Sequence, residues 1–189
     1  LVPRWAKDPS FGARTFNARA ETVASKPAYR SAFRRRRCVV PVDGYYEWGS
    51  GPPVGGATAK PWKQPWYVQR ADGSLMVLAG LWEDWTESDD EADAVLVLRT
   101  CTVVTVPANA DMAPVHHRMP AVLDRDDWRA WLDPAADDPA GLEALLAPAP
   151  DGMLRRHPVD RGVGDARRKG DGLIEPVDPG PADGQEALW

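Results

Sequence analysis

Segments rich in valine, leucine and tyrosine, cut by glycine and proline, run through the middle of this chain, and that punctuation constrains the fold more than any other feature. Residues 38–48 are apolar with Pro41 and Gly44 among them, a pattern that suits a bent strand better than a regular central one. Residues 49–63 are dense in glycine and proline and are expected to form a flexible hairpin loop. Residues 65–70 and 74–82 flank Asp72-Gly73, a strong signal for a tight hairpin. Residues 94–106 supply a further long strand. The expected class is therefore α+β: an antiparallel sheet or open β-barrel with short flanking helices.

The helices are predicted at three places. Within residues 26–37, Ala28, Tyr29, Ala32 and Phe33 recur at near-helical spacing, and an arginine run closes the segment where a helix dipole favours cations. Asp124 is a suitable N-cap for a helix holding Trp128, Trp131 and Leu132, and residues 141–146 form a second short helix. Pro179, Gly180, Pro181 and Gly184 mark a disordered tail, so one domain is expected over residues 1–177 and a tail over 178–189.

At 189 residues and 43% hydrophobic content the chain can bury one sizeable core. No stretch nears the roughly 18 consecutive apolar residues of a membrane span, and no signal peptide opens the chain, so a soluble, cytoplasmic monomer is expected. Cys38 and Cys101 are too few for a disulfide framework and lack metal-ligand spacing; both default to small buried hydrophobes, and neither a metal nor a cofactor is expected. No phosphate-cradling glycine motif of the nucleotide-binding folds is present. The net charge of −5 argues against generic nucleic-acid binding, yet residues 1–50 carry ten Lys or Arg against four Asp or Glu. An acidic cluster lies elsewhere, from Glu83 to Asp93. A basic face on an acidic protein suits a phosphate-bearing ligand held over a short footprint.

Three segments combine polar groups with rigid surroundings: residues 17–22 (NARAET), 43–48 (DGYYEW) and 116–120 (HHRMP). Together they offer an amide, a carboxylate and an imidazole, a set able to transfer protons near neutral pH. Spacing alone proves little. These same segments resemble the SRAP family, which is recognised by NAR-E-T, RRC-x-x-P-x-D-G-x-Y-E-W and H-x-R-M-P stretches, all present here in order. Further agreement lies in Pro3-x-Trp5-Ala6, Lys63-Gln64-Pro65, Ala79-Gly80-Leu81-Trp82 and His157-Pro158-Val159.

The resemblance implies an abasic site processing protein acting on single-stranded DNA. Carried over by position, Asn17 would hold the reacting group, Glu47 would act as acid or base, and His116 would assist opening of the abasic sugar. Arg19 and Arg118 would contact phosphates, His117 would add a further phosphate contact, and Trp5 would stack beside displaced bases. In the family the reacting residue is a cysteine exposed at position one, whose α-amine and thiolate close a thiazolidine on the sugar aldehyde. Neither Cys38 nor Cys101 can replace it, because an internal residue has no free α-amine. The chain opens at Leu1 without methionine and is expected to be a fragment that has lost this cysteine and its chemistry.

Two rivals remain. One is a non-catalytic module for single-stranded or damaged DNA; the other is a peptidase acting on separate substrates, an idea attached to the family because some members remove the residues ahead of their cysteine. Without the resemblance, Glu47 would be an exposed strand-end carboxylate, His116 a turn histidine and Asn17 a turn-satisfying amide. Arg34 to Arg37 would by default be a solvated helix end, with a DNA-facing role left open for one or two of them. Trp48, Trp82, Trp128 and Trp131 are assigned to the core or its edge, not to base stacking.

Overall fold

The structure is a computed structural model that describes residues 1–50, 62–87 and 96–178. A short 3-10 helix over Pro9–Arg14 precedes β1 (Asn17–Arg19) and α1 (Ala20–Val23), which are followed by α2 (Arg30–Arg35). Next come β2 (Arg37–Val42), β3 (Tyr45–Ser50), β4 (Lys63–Arg70), β5 (Met76–Glu87), β6 (Leu96–Pro107) and β7 (Arg118–Pro120). Two helices, α3 (Trp128–Leu132) and α4 (Pro139–Ala144), precede β8 (Leu154–Pro158). The larger sheet runs β1-β6-β5-β2 with β7 also on β6, and the smaller runs β3-β4-β8. The α+β class with open sheets and short flanking helices is as expected, except that β1 lies parallel to β6, which makes the larger sheet mixed.

The principal correction concerns the turns. Residues 38–48 are not one bent strand: β2 pairs with β5, whereas β3 pairs with β4 in the other sheet, so the chain changes sheet at Asp43-Gly44. The Asp72-Gly73 turn likewise joins β4 to β5 across the two sheets and is not a hairpin. Its turn chemistry is nonetheless what the sequence suggests. Gly73 has φ of 73°, and the Asp72 carboxylate accepts from Ser74 N, Ser74 Oγ and the Arg70 guanidinium. At Gly44 the requirement is space, since a Cβ there would lie 2.5 Å from the Tyr67 ring and from the Val68 carbonyl. Local turn signals report that the chain reverses; which strand it then pairs with depends on the apolar faces.

The core lies between the sheets and the helices and holds Phe33, Leu81, Met76, Val104, Val106, Met112, Met119 and Trp131, all essentially fully buried. Trp131 stacks obliquely on Phe33 at 6.1 Å, and its Nε1 donates to the Cys38 carbonyl. Burial of two such side chains contributes several kcal/mol, at about 25 cal/mol per Å² of apolar surface. The predicted helix over residues 26–37 narrows to α2, preceded by a turn in which Tyr29 and Arg30 donate to the Lys26 carbonyl. Arg37 ends it by donating to the carbonyls of Phe33, Arg34, Trp131 and Ala136, and to that of Asp133. Asp124 makes no side-chain cap, while Asp138 caps α4 through Ala140 N and Gly141 N, starting that helix two residues before the expected Gly141. Trp48 is 39% exposed and is not a core residue, whereas Trp82 is half-buried beneath Arg99 and Trp128 donates to the Leu123 carbonyl. The expected loop falls almost entirely, and the tail almost entirely, outside the described residues, as does the acidic stretch beyond Glu87. Among the described residues no helix is long and apolar enough to cross a membrane.

Candidate functional site

Strand register gathers the site. The parallel pairing of β1 with β6 sets Asn17 opposite Val103 and Arg19 opposite Thr105. On β6 the same Thr105 pairs with Pro120 of β7, and Pro107 pairs with Arg118. From the smaller sheet, β3 brings Tyr45, Tyr46 and Glu47 to the seam between the sheets. The result is a cavity of about 500 Å³ whose walls include Asn17, Arg19, Glu47, His116, His117 and Arg118. Six of the residues singled out in the sequence thus meet in one place. Trp5 is not among the lining residues; it is 56% exposed, packs edge-on to Phe11 at 5.1 Å and donates through Nε1 to the Pro27 carbonyl.

Each polar group is held differently. Glu47 Oε1 accepts from the Trp48 amide at 3.0 Å, while its other oxygen has no hydrogen-bond partner among the described residues. His116 Nδ1 accepts the Arg118 amide at 3.1 Å and also lies 3.0 Å from the Arg118 carbonyl. A neutral ring that accepts at Nδ1 carries its proton on Nε2; a doubly protonated ring can instead donate Nδ1–H to the carbonyl. His116 therefore keeps a partner in either protonation state. The His117 ring lies against it at 4.3 Å and is exposed.

Arg118 is a restrained cation. Its guanidinium binds the Glu21 carboxylate in a fork, Nη1 to Oε1 at 2.8 Å and Nη2 to Oε2 at 2.9 Å, while Nε and Nη2 also donate to Thr105 Oγ1 and O. The hydrogen bond from Arg118 holds the Glu21 carboxyl below the usual carboxylate range. Arg19 is exposed and makes no ion pair among the described residues. Sequence reasoning assigned no role to Glu21 and Thr105, although Glu21 stands inside the NARAET segment. Tyr45 was also overlooked: its hydroxyl is buried without a hydrogen-bond partner, and burial, followed by the nearby Glu47 charge, pushes its pKa well above the usual phenolic range.

Neither cysteine belongs to the cavity lining. Cys38 sits on β2 beside Gly80, its thiol pushed up to about 11 by burial and by Cys101, and Cys101 is exposed. Among the described residues no group of three or more His, Cys, Asp or Glu is placed to hold a metal ion.

Comparison with known proteins gives a consistent result. A family model described as SOS response associated peptidase (SRAP) matches residues 1–166. The chain is 33% identical to the abasic site processing protein YoqW of Bacillus subtilis, covering 93% of this chain and 73% of that one. It is 32% identical to the abasic site processing protein HMCES of Gallus gallus, covering 95% of this chain but 56% of that one. A crystal structure of a protein from Bacteroides thetaiotaomicron superposes with a TM-score of 0.78 at 25% identity, covering 94% of this chain and 74% of the other.

Proposed function

Because this chain belongs to the SOS response associated peptidase family, we propose that it binds single-stranded DNA at an abasic site, with the baseless sugar in the cavity between the two sheets. The observation that carries this reading is the convergence of Asn17, Arg19, Glu47, His116, His117 and Arg118 on one cavity from four separate strands and loops. An abasic sugar presents hydroxyls, a ring oxygen and flanking phosphates, and no base edge. Arg19 suits a phosphate, as does Arg118 where its fork is shared with Glu21, and the Asn17 amide suits a sugar oxygen. Trp5 lies outside the cavity, where an exposed indole can stack on a neighbouring base.

Non-covalent capture is the activity the residues at hand support best. The acid–base pair supports a further step. Opening the cyclic hemiacetal moves a proton from the anomeric hydroxyl to the ring oxygen. In this reading Glu47 takes the proton from the anomeric hydroxyl and the His116 Nε2–H delivers one to the ring oxygen; both residues line the cavity. The aldehyde so formed can condense with an amine, losing water, and a thiolate can then add to the imine carbon to give a thiazolidine. That closure requires a terminal cysteine delivered to this cavity, a role that Cys38 and Cys101 cannot fill.

The test is fluorescence anisotropy with a labelled single strand that carries one abasic-site analogue, against the same strand undamaged and against duplex. The damaged single strand is expected to bind tightest. R19Q should weaken it by about tenfold, the cost of one charged hydrogen-bonded contact, and E47Q should leave binding intact. Equal affinity for all three substrates would overturn the reading. A denaturing gel with a natural abasic site separates the covalent step: an adduct that depends on Glu47 and His116 would place chemistry, and not only capture, at this cavity.

A further inference from the structure

Away from the cavity, α2 builds a second cationic feature. Arg30, Arg34 and Arg35 line a groove of about 360 Å³ together with Ser31. All three are exposed, and none has a carboxylate partner among the described residues. The other arginines near this end are occupied in different ways. Arg36 reaches the buried Glu83 at 2.7 Å and Ser31 Oγ at 2.9 Å, and Arg37 is buried on five carbonyls. Four arginines elsewhere pair with aspartates, Arg70 with Asp72, Arg99 with Asp84, Arg167 with Asp165 and Arg168 with Asp160.

Positions 30 and 34 lie one turn apart on one helix face, where like charges repel and weaken a helix unless an anion intervenes. In a chain of net charge −5, three neighbouring arginines that line one groove without an ion-pair partner among the described residues concentrate positive charge there. The helix that carries them is fixed: Ala32 and Phe33 are buried in the core, and Arg36 and Arg37 tie its end to β5 and α3. The charges are therefore presented on a rigid base. Trp5, exposed outside the cavity, is tied to the approach to this helix: its indole donates to the Pro27 carbonyl, three residues before Arg30.

We propose that the α2 groove is a second phosphodiester-binding site, which holds the DNA strand flanking the lesion after it has left the cavity and passed Trp5. The inference rests on the reading of the cavity as an abasic-site pocket. It adds a contact for strand length, independent of the lesion itself.

The experiment compares the full chain with its R30Q/R34Q/R35Q variant on two single strands with a central abasic-site analogue, one of about 5 nucleotides and one of about 20, spanning the footprints of single-strand binding sites. The three side chains are exposed, so an unchanged melting temperature checks the fold. The wild type is expected to bind the long strand about tenfold tighter than the short one. In the variant that advantage disappears and the salt dependence of log K flattens by about 2, three contacts at about 0.7 each, while short-strand binding is unchanged. Wild-type affinity and salt slope in the variant on the long strand would overturn the second site and leave the cavity reading standing. Failure of the wild type to bind either strand would overturn both.

Discussion

The arginines show how much a residue's chemistry depends on where the fold puts it. Arg34 to Arg37 are one run in the sequence, with nothing to rank them. In the structure Arg37 is a buried C-terminal cap, Arg36 is an ion-pair partner, and Arg34 and Arg35 face solvent. Arg118 was legible as a functional residue from its motif, but its restraint by Glu21 was not, because 97 residues separate the two and only the β1, β6 and β7 pairings close that distance. The Glu21 clamp has a pH signature. The carboxyl is held below its ordinary value by Arg118, so its contribution is fully present above the unfolded carboxylate range and is lost as pH falls through the lowered folded value. In E21Q that contribution is absent at every pH. Wild type is therefore expected to melt above E21Q near pH 7, with the difference shrinking steadily below about pH 4, where an unfolded glutamate takes up its proton. A difference that is constant from neutral to acid pH would show that the ion pair adds nothing to the fold.

At the scale of elements, the sequence announced the strands and misassigned their partners. Residues 65–70 and 74–82 are both strands, as their composition suggests, yet β4 and β5 belong to different sheets. Turn residues encode local backbone geometry, whereas the choice of sheet is set by burial: β5 runs Met76 to Leu81 wholly buried, a central strand covered on both faces. The β2 to β3 corner carries the same lesson and a larger consequence, for it aims Tyr45, Tyr46 and Glu47 at the cavity. Gly44 permits that corner because nothing larger fits against Tyr67 and the Val68 carbonyl. Gly44→Ala should cost about 1 to 3 kcal/mol in urea unfolding, the usual penalty of an added group in a packed site. It should also weaken binding of the abasic strand more than Gly73→Ala, whose added methyl meets open space, although that change strains a positive φ. If G44A bound DNA as wild type despite lower stability, the corner would be a folding device with no hold on the site.

For the molecule as a whole, the cavity lies at the seam where two open sheets meet, and neither sheet holds a complete set of site residues. Asn17, Arg19 and Arg118 come from the larger sheet, Glu47 comes from the smaller, and His116 and His117 arrive on the loop ahead of β7. The three motifs could be read from the sequence as a set, but their convergence required the pairing of β1 with β6, a parallel contact between residues more than eighty positions apart. A ligand that touches both sheets links their stabilities, because it binds only when the seam is closed. A single strand bearing an abasic-site analogue, at a hundredfold excess over its dissociation constant, should add about 2.7 kcal/mol to the folded state. For a chain of this size that corresponds to a rise of roughly 5 to 10 °C in melting temperature. The rise should be cooperative, a single transition displaced intact, and should fall in R19Q at equal DNA concentration. Two transitions, with only one shifted by DNA, would mean that the strand docks on one sheet and that the seam is not where the lesion is held.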